Sequence, residues 1–242
     1  MLKSYKKHVQ ERADLNIPPL PLDADQTSQL VELLKSEHDE SDFLLNLFKE
    51  RVPAGVDQAA YVKAAFLADI SEGNASSPYI DNIEAVKILG TMLGGYNIQP
   101  LIKCLKNDEL AATAVDTLSK TLLIFDAFNE IFELSKTNKY AEQVIKNWAD
   151  ATWFTDKQDL PKKIKLTVYK VSGEINTDDL SPAPDAWSRP DIPLHALAMF
   201  KMPRAGLSDP LETIDKLKEK GNPLVFVGDV VGTGSSRKSA IN

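Results

Sequence analysis

The chain has 242 residues, 43% of them hydrophobic, and a formal net charge of −7, enough apolar content for one large core or two ordinary ones. Residues 1–160 carry 16 Lys and Arg against 25 Asp and Glu, whereas residues 161–242 carry 12 against 10. The acidic first part argues against electrostatic nucleic-acid binding as its main role and neither supports nor excludes RNA binding, and the second part tolerates an anionic small molecule. A single cysteine, Cys104, excludes an intrachain disulfide and a structural metal site built on several thiolates.

In chain order, the first 154 or so residues read as helix almost without interruption. Leu2, Tyr5, Val9 and Ala13 recur at helical spacing, and Ile17-Pro-Pro-Leu-Pro-Leu22 ends that segment. Asp25 is placed to cap a helix carrying Leu30, Val31, Leu33 and Leu34, and Ser41 or Asp42 to cap one carrying Phe43, Leu44, Leu47 and Phe48. Asp57 opens a helix with Tyr61, Ala65 and Ile70 on one face, closed by Gly73, and Asp81 opens the next, ended by Gly94-Gly95. A segment through Leu101, Ile102 and Leu105 follows, then one long apolar period from Leu110 to Phe132, then Tyr140 to Trp153. Short helices at a rough pair period of about 40 residues predict a HEAT-like helical array over 1–158, with an irregular helical bundle as the alternative because the repeat is weak at residue level.

The pattern changes near Leu160-Pro161. Lys165-Leu-Thr-Val-Tyr-Lys-Val-Ser172 alternates like a strand, 173–193 reads as an irregular Pro-punctuated loop, and Leu194–Phe200 and Ile214–Lys220 read as short helices. Leu224–Val227 is a buried-type strand that enters the loop Gly232-Thr-Gly-Ser-Ser-Arg-Lys-Ser239. Residues 159–242 are thus expected to form an α/β or mixed β domain, cut before completion. A domain is not expected to end within a ligand loop, so the chain is expected to hold half of a site and to be part of a longer protein.

Two stretches carry chemistry. In 232–239 glycines expose backbone N–H groups, and Ser235, Ser236 and Arg237 add donors suited to a carboxylate or phosphate. Arg237 stands where both the Walker A loop and the dinucleotide fingerprint require glycine, which argues against a nucleotide. The second stretch, 173–190, groups acids and hydroxyls with Trp187 and Arg189 between stiffening prolines, and an arginine there suits bidentate carboxylate recognition. His8 and His38 read as surface residues, His195 matches no catalytic position, and Cys104 reads as a buried core thiol.

Asn176-Thr-Asp-Asp-Leu-Ser-Pro-Ala183 resembles the Thr-Thr-Asp-His-Ile-Ser segment of the aconitase superfamily, and Gly234-Ser-Ser-Arg-Lys-Ser-Ala240 its Gly-Ser-Ser-Arg-Glu-His-Ala segment, both from the mobile swivel domain. Asp179 in place of His, and Lys238-Ser239 in place of Glu-His, are the departures expected of the bacterial type-B branch. Gly94-Gly-Tyr-Asn97 and 185–195 also resemble that branch, so the resemblance covers essentially the whole chain. It implies an all-α HEAT-like array followed by an incomplete swivel domain. It also implies a hydro-lyase that interconverts citrate and isocitrate through cis-aconitate, with 2-methylisocitrate a further substrate of the branch. The cofactor of the full-length parent would be a [4Fe–4S] cluster on three cysteines, none bound by this chain. Ser235 would be the base, Ser236, Arg237 and Arg189 the carboxylate clamp, and Asp178 an acid that positions its neighbours.

Two other readings remain. The helical array is an interaction module that docks a partner or a second subunit, in which case light scattering of residues 1–160 would show self-association. Alternatively the substrate is isopropylmalate or homoaconitate, against which the helical preface weighs. No run of the sequence approaches the roughly 18 apolar residues of a membrane span, and no signal core precedes the first helix, so a cytoplasmic location is expected.

Overall fold

The structure, a computed structural model, describes residues 1–15, 19–122, 124–156, 161–188 and 195–234. It is predominantly helical with small parallel sheets. Contacts divide it into a unit of Pro21–Gln158, with Met1, and a unit of Leu2–Leu20 with Asp159–Asn242.

The first of these units contains α2 (Ala24–Leu34), α3 (Ser41–Asn46) with a π-helical turn at Leu47–Arg51, α4 (Gln58–Glu72) and α5 (Asn82–Leu89). It continues through α6 (Ile98–Cys104), α7 (Ala111–Lys120), α8 (Phe125–Ser135), α9 (Lys139–Ala149) and the single turn α10 (Thr152–Thr155). Short side chains that fold back on the backbone set the boundaries. Asp57 accepts from the N–H groups of Ala59 and Ala60, Asp81 from Glu84, and Gly73 closes α4 in the left-handed conformation. Asp23, not Asp25, caps α2, because Gln26 completes a capping box with it; α3 begins after Glu40 with no side-chain cap. The apolar period from Leu110 to Phe132 is broken in two, since Thr121 turns extended and its hydroxyl bonds back to Thr117 O.

The core of this unit is aliphatic, with Leu30, Leu34, Leu67, Leu89, Leu101 and Leu118 each at 0% exposure. The face of α4 differs from the expected one. Tyr61 is exposed and meets Tyr96 edge-on, while Lys63 is buried, its amine donating to Lys49 O and lying over Phe48. Gly94-Gly-Tyr-Asn97 is a knitted turn. A Cβ on Gly94 would lie 1.9 Å from Gly55 O, Tyr96 Oη donates to Val56 O, and Asn97 Nδ2 donates to Leu89 O and Met92 O. Cys104 is buried, as its apolar neighbours imply, and burial raises the pKa of its thiol.

In the other unit, α1 (Leu2–Asp14) is joined by β1 (Thr167–Lys170), β2 (Glu174–Asn176), α11 (Thr177–Leu180), a 3₁₀ stretch at Ala183–Ser188, α12 (Pro210–Lys218), β3 (Leu224–Val227) and β4 (Val230–Thr233). Contacts group α1 with these elements. Its Tyr5 hydroxyl donates to Leu20 O and its His8 accepts from Leu20 N, so the segment folds back on itself. Val9 and Ala13 then line a cavity of about 490 Å³ with Leu197, Met199, Phe200 and Leu211. His8 and His38 are both half-buried, each accepting from a backbone N–H, rather than free on the surface.

β1 pairs in parallel with β3, and β2 with β4. Between the two pairs Asp229 bridges the corner: its carboxylate takes Lys170 Nζ at 2.7 Å and Gly173 N at 2.7 Å. Tyr169, Phe200 and Phe226 meet pairwise at 5.5 to 6.4 Å between ring centroids and, with Val171, Ile175 and Ile214, form this unit's core. Residues 173–193, expected to be irregular, contain β2, α11 and the 3₁₀ stretch; these elements of three to six residues are too short for periodicity to reveal. α12 starts four residues earlier than expected, with Pro210 at its first position.

Candidate functional site

The two stretches singled out by their chemistry, 173–190 and 232–239, start 59 positions apart, and parallel pairing brings them together. Ile175 stands opposite Val231, and Asn176 opposite Thr233, a bulge accommodating Gly232 between them. β2 runs directly into α11 and β4 into Gly234, so both strands deliver their motif at the C-terminal edge, where ligand sites of parallel sheets form. Contact at that edge is close. A Cβ on Gly234, whose φ is +89°, would lie 3.1 Å from Thr177 Oγ1. The Thr233 hydroxyl donates to Glu174.

The turn α11 is tightly specified. Asn176 Oδ1 accepts from the N–H groups of Asp178 and Asp179, and Asp179 Oδ2 accepts from Asn176 N, a reciprocal capping box. Asp179 Oδ2 also takes Arg204 Nη1 at 3.0 Å, and the same guanidinium donates to Ser172 O at 2.8 Å and to Glu174 O. Arg204 thus ties the β1–β2 corner to the first turn of α11. Asp179 O further accepts from Phe200 N at 2.6 Å, anchoring the turn to the aromatic core.

Asp178 lies on the exposed side of this turn. Ser235, Ser236, Arg237 and Arg189 lie outside the described residues. Two groups were missed in the sequence. Arg204 belongs to no motif, and only its place in Met202-Pro-Arg-Ala-Gly206, a turn-forming run, hints at a fixed position. His195 is 1% exposed, with Nε2 2.7 Å from Ser181 Oγ and Nδ1 3.1 Å from Asp185 O. Neither partner can be inferred from spacing.

A family model described as the aconitate B N-terminal domain matches residues 4–154, and one described as the aconitate hydratase 2 N-terminus matches residues 166–242. The chain belongs to the aconitate hydratase B family. It is 57% identical to aconitate hydratase B of Pseudomonas aeruginosa over 251 aligned positions and 57% identical to that of Escherichia coli over 251. Against the Synechocystis sp. member of the family the identity is 56% over 245 positions. In each case all of this chain is covered, but only 28 to 29% of the relative. The family's match falls on the two halves separately, with the change between 154 and 166.

Proposed function

We propose that this chain supplies one wall of the active site of an aconitate hydratase, a hydro-lyase that interconverts citrate and isocitrate through cis-aconitate. The observation that supports the reading is the parallel register of β2 and β4, in which Asn176 and Thr177 lie close to Thr233 and Gly234 at one sheet edge. The helical unit corresponds to a HEAT-like domain and the α/β unit to a swivel domain. Val168 on β1 and Val230 and Val231 on β4 are each half exposed or more, apolar side chains of the kind a complete α/β domain covers, and the remainder of the parent is the proposed cover.

Removing a proton next to a carboxylate requires a base stronger than a serine hydroxyl. In this reading Ser235 acts as its alkoxide, stabilised by loop N–H groups and Arg237. Ser236, Arg237 and Arg189 clamp the substrate carboxylates by charge-assisted hydrogen bonds, which suits a tricarboxylate. Asp178, at the first turn of α11, orients the neighbouring loop.

The family's iron–sulfur cluster would act as the Lewis acid for the departing hydroxyl when bound. The residues of this chain do not fit it. Its single cysteine, Cys104, is 3% exposed on α6, and burial raises the pKa of that thiol, whereas a cluster ligand must be a thiolate. The ligands are proposed to come from the rest of the parent, in the cytoplasm.

The test is hydration of cis-aconitate. In the full-length parent, Ser235→Ala is expected to lower kcat about 100-fold or more, and the isolated 242-residue chain to be inactive. Turnover by the isolated chain, or an unimpaired Ser235→Ala parent, would sink this reading.

A further inference from the structure

One guanidinium joins the elements that meet at the sheet edge. Arg204 Nη1 donates to Asp179 Oδ2 on α11 at 3.0 Å, while Nη2 donates to Ser172 O at 2.8 Å and to Glu174 O, where β2 begins. The Glu174 carboxylate in turn accepts from the Thr233 hydroxyl of β4. A turn of four residues cannot hold its own place, so α11 takes its position from these ties. A guanidinium is planar, with its nitrogens in a fixed fork, and it therefore sets the spacing of β2 and α11 as a lysine amine would not. At that spacing Thr177, 5% exposed, packs so closely on the end of β4 that a Cβ on Gly234 would lie 3.1 Å from its Oγ1.

The second consequence is electrostatic. α11 carries two adjacent acids, Asp178 and Asp179, at the edge proposed to receive a tricarboxylate. Carboxylates at that edge repel an anion, the more so where water is partly excluded. Arg204 compensates one of them. The side chains of the pair are 20% and 16% exposed, so dissolved salt screens their attraction only weakly. Lys201, near Arg204 in sequence, is engaged with Asp185 instead.

We infer that Arg204 is a positioning residue for substrate binding, fixing α11 against β4 and cancelling the Asp179 charge beside an anionic substrate. This rests on the proposed place of α11 in the tricarboxylate site.

The experiment measures isocitrate kinetics in the full-length parent carrying Arg204→Gln, Asp179→Asn, both together, or Arg204→Lys. Arg204→Gln uncovers the Asp179 charge and is expected to raise KM about tenfold, an increase that shrinks as ionic strength rises. Adding Asp179→Asn removes the uncovered charge and should return KM to within about threefold of the wild-type value. Arg204→Lys keeps the charge but loses the fork; it is expected to raise KM about threefold without added salt dependence, and it carries the test if Arg204→Gln does not fold. A merely structural role reduces the amount of active protein, and therefore lowers kcat at constant KM. That result in either Arg204 variant, or a KM that Asp179→Asn does not bring back, overturns the inference. If the wild-type parent is inactive on isocitrate, or Asp178→Ala changes neither kcat nor KM, the underlying reading of the site has failed instead.

Discussion

At the scale of single residues, Asp179 shows how a departure from a motif acquires a structural use. Where the superfamily pattern has histidine, this chain has a carboxylate that caps its own turn and pairs with Arg204. The pair is largely shielded, with side-chain exposures of 20% and 16%, and Arg204 also satisfies two backbone carbonyls. Removing the guanidinium leaves a partly buried carboxylate and those carbonyls without it. Arg204→Ala is therefore expected to cost about 2–3 kcal/mol in chemical denaturation. Asp179→Asn keeps the turn's shape but loses the charge, and the double variant should cost clearly less than the sum of the two singles. Strict additivity in that cycle would show that the two side chains act independently. Asp178, by contrast, was readable as a site candidate because its motif is local, and Arg204 was not because its partners lie 25 to 32 positions away.

At the scale of elements, the corner between the two strand pairs depends on Asp229. Its hydrogen bond from Lys170, then that from Gly173 N–H, and the attraction of the Lys170 charge hold its carboxyl below the usual carboxylate range. A group whose pKa is lower folded than unfolded stabilises the fold above its unfolded pKa, and this stabilisation disappears as pH falls through the folded value. The advantage of the wild type over Asp229→Asn should therefore be constant near neutrality, shrink as the pH drops below about 4, and vanish in stronger acid. Urea unfolding of both proteins across that range checks it, and a difference that persists at low pH would remove the carboxylate from the explanation. Caps such as Asp57 and Asp81 and the stop at Gly73 were legible because a cap is a contact within three or four residues. The strand β4 was not, since Val230-Val-Gly-Thr233 becomes a strand only by pairing with β2.

At the scale of the whole molecule, the assignment of α1 to the α/β unit carries its own expectation. Deleting residues 1–15 removes Val9 and Ala13 from the cavity they line with Leu197, Met199, Phe200 and Leu211. Hydrogen exchange should then accelerate in β1, β3 and α12 while α4, α5 and α7 keep their protection. Equal acceleration in both sets, or none in the first, would contradict that grouping.

The order of architectures, helices first and a small α/β unit after, follows from the sequence alone, as do the caps, the buried cysteine and the two motifs. Each is written in neighbours a few positions apart, where periodicity and side-chain chemistry act. Tertiary structure alone decided that β2 and β4 run parallel in a bulged register, that Arg204 grips Asp179, and that His195 closes on Ser181 and Asp185. Those pairings join residues 10 to 59 positions apart. Chain folding has to meet the entropy of closing such loops before any local pattern can express them.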